Sequence, residues 1–485
     1  MTQTVRTRYA PSPTGYMHIG NLRTALYAYL VAKQANGQFL LRIEDTDQAR
    51  FVADAVDVIY KSLRVTGLLW DEGPDKGGPV GPYVQSERKG LYRKYGEELL
   101  NRGKAYRCFC TKEELDQMRQ ASEDEESAPI AAYDGRCGRL SAADIEAKLA
   151  SGLPFVIRQR IEHTGSTTFH DVVYGDITIN NEQLDDQVLI KSDGMPTYNF
   201  ANVVDDHLMG ITHVMRGTEY ISSTPKYVQL YQSFGWEMPV SIHLPLILGS
   251  NGKKLSKREG AASLEDFLEK GYLPEAILNY IALLGWSPGD DTEFFTLNDL
   301  VQRFDIKRIG KSAAIFDEAK LKHLNTLHVR ALTPEKFHEL ATPYYPAAVR
   351  ERFDTQKISA LIQSRVERMT DVPQLCAFLM EMPFPYDKAI FEHKKMKTTP
   401  EASLPVLEDV RGKFAALEPW THQSLHDFLL GYATEKGLKN GQVLWPVRVA
   451  ITGLPSTPGG AVEAADLLGK QETLARLDRS ISLLK

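Results

Sequence analysis

The sequence predicts an α/β protein: a parallel sheet, an α+β insertion that splits it, and helical domains behind. Three observations carry this. The first hundred residues alternate strand and helix signals, opening with strand, turn, helix and strand. From about Tyr106 to Lys191 the texture turns Cys-rich, then acidic, then into short β-like segments. Beyond Thr333 the apolar spacing is helical to the end. A length of 485 residues holds about two to four domains.

Val5 to Ala10 reads as a strand, and Pro11-Ser12-Pro13-Thr14-Gly15 as the turn after it. A helix follows from about Asn21, with Leu22, Leu26, Tyr29 and Leu30 on one face, and stops at Asn36-Gly37. Phe39 to Ile43 is a second strand, ending in the acidic group Glu44-Asp45-Thr46-Asp47. Strand, turn, helix and strand make a βαβ unit, whose ligands sit at the strand ends. Phe155-Val156-Ile157-Arg158 is a β-like segment of the insertion. Residues 197–255 return to strand and helix punctuation, and 260–332 read helical. After Thr333-Pro334 the helices break at Pro346, Pro383-Phe384-Pro385 and Pro400.

Lys and Arg number 57 against 63 Asp and Glu, a net charge of −6. That excludes a histone-like basic protein but not nucleic-acid binding, which depends on where the cations lie. From Thr333 on, 19 basic residues balance 19 acidic ones, so the surplus acid belongs to the first part. No stretch approaches the ~18 apolar residues of a membrane helix, and the N-terminus lacks the apolar core of a signal peptide. A cytosolic protein is expected. Four cysteines are too few for a disulfide scaffold, but Cys108, Cys110 and Cys137 lie close enough to raise a metal question.

Two familiar nucleotide signatures are missing. Nothing matches G-x-G-x-x-G after the first strand, and Gly310-Lys311-Ser312 follows Asp305 where a P-loop requires glycine. Two other loops carry chemistry. Between the first strand and helix, Pro11 to Asn21 supplies small residues that let backbone approach a phosphate. The N–H groups opening the helix point at that phosphate, with His18 just ahead. Gly252-Lys253-Lys254-Leu255-Ser256-Lys257-Arg258-Glu259-Gly260 sets four cations in a glycine-flanked loop that can close on a polyphosphate. Taken singly, a turn histidine and a solvated basic loop are the commoner meanings. Both motifs in one chain change the balance.

Together they resemble the two signatures of class I aminoacyl-tRNA synthetases: His18-Ile19-Gly20-Asn21 is similar to "HIGH", and Lys254-Leu255-Ser256-Lys257-Arg258 to "KMSKS". Further blocks narrow the resemblance to the glutamyl-tRNA synthetase family. They are Arg8 to Gly15, Leu41 to Asp47, Pro196 to His207, Ser312 to Asp317 and Val447 to Gly453, spread over nearly the whole chain in the family's order. Asn21 stands where the signature has its second histidine, which shifts weight onto His18, Lys257 and backbone N–H groups.

The resemblance implies a Rossmann-like catalytic domain in two halves, 1–105 and 197–258, around an acceptor-end-binding insertion, 106–196. A helical stem-contact domain (259–333) and an all-helical anticodon-binding domain (334–485) follow. It implies ATP-dependent activation of L-glutamate and transfer to tRNA-Glu, with Mg²⁺ accompanying ATP, and with tRNA-Gln as a second acceptor in a non-discriminating form. A retired synthetase that only binds tRNA is the alternative from another class. No membrane or DNA partner is expected, and the family implies a cytoplasmic monomer.

By the same resemblance His18 and Lys257 are catalytic. Pro11, Thr14, Gly15, His18, Gly20, Asn21, Lys254, Leu255, Ser256, Lys257 and Arg258 bind ATP. Arg8, Ala10, Ser12, Glu44, Tyr198, Asn202 and Arg216 surround glutamate. Glu44 suits the ammonium, and the Arg8 and Arg216 forks suit carboxylates. The related glutaminyl enzymes do not usually carry arginine at the place of Arg216. Cys108, Cys110, Tyr133 and Cys137 match a zinc-bearing segment of some members. Phenolate is a poor fourth ligand, and Arg139 stands where some zinc-bearing members have histidine, so zinc and retained buried cysteines both stay open. Cys376 reads as core, and Glu123 to Glu126 as a solvated loop. Arg350, Arg352, Arg365, Arg368 and Lys394, Lys395 and Lys397 are candidate tRNA contacts on the C-terminal helices.

Overall fold

The computed structural model describes residues 4–47, 52, 54–123, 133–253, 255 and 263–485. It opens with β1 (Arg6–Tyr9), α1 (Ile19–Gln34), β2 (Gln38–Leu41), α2 (Ala55–Val65) and α3 (Lys89–Asn101). There follow β3 (Ala105–Cys108), α4 (Lys112–Glu123), α5 (Ala142–Ala150), β4 (Val156–Gln159), β5 (Ser166–Asp171), β6 (Gly175–Asn180) and β7 (Val188–Ile190). Next come α6 (Tyr198–Leu208), β8 (His213–Gly217), α7 (Thr224–Phe234), β9 (Val240–Leu244) and β10 (Ile247–Leu248). The stretch read as helical holds α8 (Leu264–Glu269), α9 (Pro274–Leu283), α10 (Leu297–Arg303) and α11 (Glu318–Ala331), with a short strand, β11 (Ala314–Ile315), between the last two. The helices α12 (Pro334–Ala341), α13 (Ala347–Arg352), α14 (Thr355–Ile362), α15 (Val372–Met380), α16 (Pro400–Ala416), α17 (His422–Glu435), α18 (Asn440–Thr452) and α19 (Ala461–Leu484) complete the chain.

The chain forms two compact units: Met1–Leu268 with Pro274–Glu318, and Glu269–Leu273 with Ala319–Lys485. In the first, β1 and β2 pair in parallel, Arg6 opposite Gln38 through Tyr9 opposite Leu41, as the βαβ reading requires. Gly37 closes α1 against this pair; a Cβ there would stand 2.1 Å from the Val5 carbonyl oxygen, so no other residue fits without moving backbone. Thr212 donates to the Arg6 carbonyl at 2.9 Å, which ties β1 to the start of β8. β8 pairs with β9 in parallel. β5, from inside the predicted insertion, adds to β9 in parallel at Asp171 opposite Ser241, and β6 folds back on β5. That hairpin therefore continues a sheet of the surrounding halves rather than lying apart. β3, β4 and β7 form a separate antiparallel sheet. β11 departs from the helical expectation because Ala314 and Phe316 donate to the carbonyls of Leu246 and Leu248, completing a parallel pair with β10.

α1 is buried nearly all round, with Ile19, Leu22, Leu26, Tyr27 and Leu30 inaccessible, which is why its apolar stripe is broad. It begins two residues before the expected Asn21 because His18 caps it: the Gly20 N–H donates to His18 Nδ1 at 3.1 Å. In the second unit Pro400 opens α16 behind the Thr399 cap, as its break predicts. Arg476 on α19, almost inaccessible, donates to the carbonyls of Phe378 (2.7 Å), Leu379 (3.0 Å) and Ile451 (3.0 Å), so one guanidinium closes the C-terminal ends of α15 and α18. Cys376 is fully buried in α15, as read, and burial pushes its thiol up to about 11. No helix among the described residues is long and apolar enough to cross a membrane.

Candidate active site

A cleft of about 470 Å³ opens in the first unit where β1, α1, β8 and the end of β9 meet. Arg8, Ala10, Pro11, Ser12, Thr14, His18, Gly20, Asn21, Glu44, Tyr198, Arg216 and Leu255 line it, so residues far apart in the chain converge on it. Gly15 and Asn202 are not on its wall. Gly15 holds the turn, at φ +132° where side chains are strained, and Asn202 lies fully buried behind Arg216. Lys254, Ser256, Lys257 and Arg258 fall outside the described residues, as does most of the acidic run after Glu123.

At the phosphate-suited end the histidine ring is committed. Because Nδ1 accepts from Gly20, the ring proton sits on Nε2, which meets the Leu255 carbonyl oxygen at 3.3 Å. The first motif thus touches backbone of the second. The helix-opening N–H groups differ from the expectation: Gly20 N–H is taken by His18 Nδ1, and Asn21 N–H by the His18 carbonyl at 2.9 Å. The N-cap geometry satisfies these donors internally, leaving the imidazole Nε2–H as the group aimed outward. Among the described residues, a Cβ on Gly20 would meet only His18, at 3.4 Å.

The other end is a buried ionic cluster. Tyr198, Asn202, Asp205 and Asp206 recur at helical spacing on one face of α6. Asp206 accepts from Arg8 Nε at 3.0 Å and Nη2 at 3.3 Å, and from Arg42 Nη1 at 2.8 Å. Arg42 reaches Glu44 Oε1 with Nη2 at 2.8 Å. Asp205 accepts from Arg88 (2.7 Å), Gln85 (2.9 Å) and the Tyr92 hydroxyl (2.7 Å). Burial would raise the Asp206 carboxyl, but Arg8, Arg42 and Arg216 hold it down to about 2. Burial raises Glu44, opposed by Arg42 and Arg8.

Arg216 differs from its neighbours. It gives one hydrogen bond, from Nη2 to Asn202 Oδ1 at 2.8 Å, and stands 3.6 Å from Asp206. Its Nε has no partner among the described residues, and the guanidinium lies 4.7 Å from the Tyr227 ring centre. Among the described residues the ion-paired group therefore contains four arginines (8, 42, 88, 216) against three carboxylates (44, 205, 206). With the carboxylates ionised, one positive charge is uncompensated, and it lies at Arg216 on the cleft wall. Sequence reasoning missed Arg42, Arg88, Asp205 and Asp206. The signal was present: two acids in the last turn of a helix oppose its dipole, so they mark a place where buried cations compensate.

The cysteine group also assembles. Cys108, Cys110 and Cys137 bring their sulfurs within 4.8 Å of one another. The Tyr133 hydroxyl sits beside them, 3.3 Å from Cys108 and 3.6 Å from Cys110. Burial works against the Cys108 thiolate, but Tyr133 and Arg158 bring it below the ordinary thiol value; burial pushes Cys110 up to about 12. In the second unit Arg350, Arg352, Arg365, Lys394, Lys395 and Lys397 are exposed, while Arg368 is half-buried.

Residues 4–323 match the family described as "tRNA synthetases class I (E and Q), catalytic domain", and residues 336–481 match "Anticodon binding domain". The chain is 56% identical over 485 residues to the glutamate–tRNA ligase of Clostridium botulinum strain Hall, covering 100% of this chain and 99% of that one. It is 55% identical over 481 residues to the glutamate–tRNA ligase of Clostridium kluyveri, covering 99% and 98%. The crystal structure of a glutamate tRNA ligase from Elizabethkingia meningosepticum, in complex with its amino acid, superimposes with a TM-score of 0.89 at 34% identity, covering 100% of both chains.

Proposed function

This chain belongs to the class I tRNA synthetases of the glutamate and glutamine branch, with the activity of a glutamate–tRNA ligase, and from that premise we propose how its cleft performs the reaction. Glutamate and ATP form glutamyl-adenylate and pyrophosphate, and the acyl group then passes to the 3′-terminal ribose of tRNA-Glu. The α-carboxylate is already the nucleophile, so the site needs alignment and donors around the α-phosphate rather than an activated side chain.

The observation that carries the amino-acid end is the single uncompensated charge at Arg216. Glutamate has one ammonium and two carboxylates, net −1, and its arrival neutralises the cluster; glutamine is net neutral and leaves Arg216 unpaired in a buried setting. Arg216 takes the side-chain carboxylate, Glu44 faces the ammonium, and Arg8, Tyr198, Ser12 and Ala10 complete the wall. Asn202 orients Arg216 from behind. ATP, with its Mg²⁺, lies along Pro11, Thr14, Gly15, Gly20 and Asn21. There the His18 Nε2–H is the donor to the α-phosphate, exchanging the Leu255 carbonyl for a phosphate oxygen. The 254–258 loop, with Lys257 foremost, supplies cationic charge from the other side. The working unit in this reading is one chain, since all the described residues assigned to the cleft come from its first unit.

The thiol triangle suits zinc. Tetrahedral Zn–S bonds of about 2.3 Å require sulfurs about 3.8 Å apart, and Cys110 and Cys137 stand at 3.5 Å. Cys108, Cys110 and Cys137 would hold the ion beside the Tyr133 oxygen, cross-linking the end of β3 to the 133–139 turn with no part in the chemistry. Metal analysis of the purified chain, before and after chelation, tests this.

The domain reading assigns 106–196 to the acceptor end and 259–333 to the stem. The exposed cations at 350, 352, 365, 394, 395 and 397, with Arg368, go to the anticodon arm. A retired, tRNA-binding protein has no support in the relatives. The test is charging of tRNA-Glu and tRNA-Gln with labelled glutamate, ATP and Mg²⁺, alongside Arg216→Ala. Charging of tRNA-Glu with a large loss of glutamate preference in the variant is expected, and an unchanged preference removes Arg216 from the reading. The tRNA-Gln arm decides whether the second acceptor is used.

A further inference from the structure

Arg216 can carry the cluster's surplus charge only because something occupies the arginines around it. Three guanidiniums, those of Arg8, Arg42 and Arg216, lie within 4 Å of one carboxylate, and that carboxylate is Asp206. Its two oxygens are spent unequally. Oδ1 accepts from both Arg8 and Arg42, Oδ2 accepts from Arg8 at 3.3 Å, and Arg216 is left at 3.6 Å, beyond hydrogen-bond reach. Arg42 in turn holds Glu44, so the group facing the ammonium hangs on the same carboxylate through one intermediate.

We propose that Asp206 is the positioning residue of the amino-acid site, gripping Arg8 and Arg42 so that one guanidinium, Arg216, meets the incoming side-chain carboxylate. The proposal rests on the assignment of Arg216 to that carboxylate and goes beyond it: selectivity comes from how the cluster's charge is divided as well as from one arginine. Asp206 itself is almost inaccessible and is absent from the cleft wall, so it acts through its neighbours.

Three features support this role over simple structural glue. Asp206 sits in the last turn of α6, where an anion works against the helix dipole, so its charge is kept there by the Arg8 and Arg42 guanidiniums. The neighbouring Asp205 already binds α3 and the turn before it through Arg88, Gln85 and Tyr92, so the structural tie is made without Asp206. Asn202, one turn before Asp206 on the same helix face, is the residue that touches Arg216, and it is neutral. The helix therefore hydrogen-bonds Arg8 and Arg42 through a charged group and Arg216 through a neutral amide, with the Asp206 carboxylate standing off at 3.6 Å.

Removing the charge while keeping the shape, Asp206→Asn, leaves one more positive charge uncompensated beside the substrate: Arg8 loses its carboxylate partner, while Arg42 keeps Glu44. Arg8 then competes with Arg216 for its carboxylate, and Glu44 is drawn further onto Arg42. In aminoacylation by the full chain with tRNA-Glu, we expect the KM for glutamate to rise at least tenfold. The KM for ATP should stay within twofold, both KM values being read at a temperature where melting curves show the variant folded. In Asp206→Ala, added formate should lower the glutamate KM again by filling the vacated carboxylate position, with no such effect on the unsubstituted enzyme. A glutamate KM within twofold of normal in Asp206→Asn overturns the proposal, as does a parallel rise in both KM values, which is the mark of a general structural role. If neither Asp206 variant folds, Arg42→Lys carries the test, because one ammonium cannot bridge Asp206 and Glu44 as the fork does. It should show the same glutamate-only rise, and normal glutamate kinetics there overturn the proposal. Arg216→Ala, assayed in parallel, separates the two ideas: an unaffected glutamate KM there removes the underlying reading, whereas a raised one with a silent Asp206→Asn removes only this inference.

Discussion

Asn202→Asp is the sharpest perturbation of the charge argument, because it changes one atom type and one unit of charge at a known distance. Asn202 Oδ1 receives the Arg216 Nη2–H at 2.8 Å, and a carboxylate in its place neutralises Arg216 before any substrate arrives. The substrate's side-chain carboxylate would then meet a second carboxylate across the same guanidinium, about 5 Å away. At an effective dielectric of about 20 that repulsion is about 3 kcal/mol, or a factor of about 100. The fold should bear the change. The Asn202 Nδ2 bond to the Tyr198 carbonyl, 2.9 Å, is lost at a cost of about 1 kcal/mol, and the new ion pair with Arg216 offsets it.

The assay is aminoacylation of tRNA-Glu at saturating ATP, with glutamate varied and with glutamine as competitor. Glutamate kcat/KM should fall about 100-fold, while weak binding of neutral glutamine changes little, so the preference narrows by about the same factor. A glutamate kcat/KM within threefold of normal refutes the reasoning. So does an equal fall for both amino acids, since a neutral side chain has no charge for the new carboxylate to repel.

His18→Asn separates two roles of one side chain: asparagine still caps α1, so the melting temperature should hold, but no Nε2–H remains, and kcat should drop about 100-fold. An unchanged kcat assigns His18 to capping alone. Arg476→Ala leaves three buried carbonyls without their charged donor and opens a cavity, so the second unit should lose about 4 kcal/mol, read by denaturant melts. Burial lowers His328 from 6.5 to about 4, so between those values the unfolded chain takes up a proton that the folded chain refuses. Stability therefore falls as pH drops through this window, by up to about 3 kcal/mol, and His328→Gln should flatten the difference between melts at pH 7 and pH 4.5.

Much of the fold was legible because its signals are local. The βαβ opening, the change of texture near Tyr106 and the proline-marked helices of the second unit follow from periodicity and turn residues within a few positions of one another. The short strand at Ala314–Ile315 was not, because two residues acquire strand character only by pairing with Ile247–Leu248, some sixty-five positions earlier. The same holds for β5, whose place beside β9 rests on a single parallel partner, Asp171 opposite Ser241.

The candidate site divides in the same way. His18 could be singled out from its place just ahead of a helix, whereas Glu44, Tyr198 and Arg216 were named by resemblance to the family and not from local texture. By itself, the sequence determined which chemistry is present: a histidine ahead of a helix, a glycine-flanked basic loop, three close cysteines, arginines suited to carboxylates. Only the tertiary structure decided how those charges are shared. Whether a given arginine is spent on the protein or left for a ligand depends on which carboxylate lies within about 3 Å of it, and Arg8 and Asp206 are 198 positions apart. Ion pairing depends on distance in space, and no spacing along the chain encodes it.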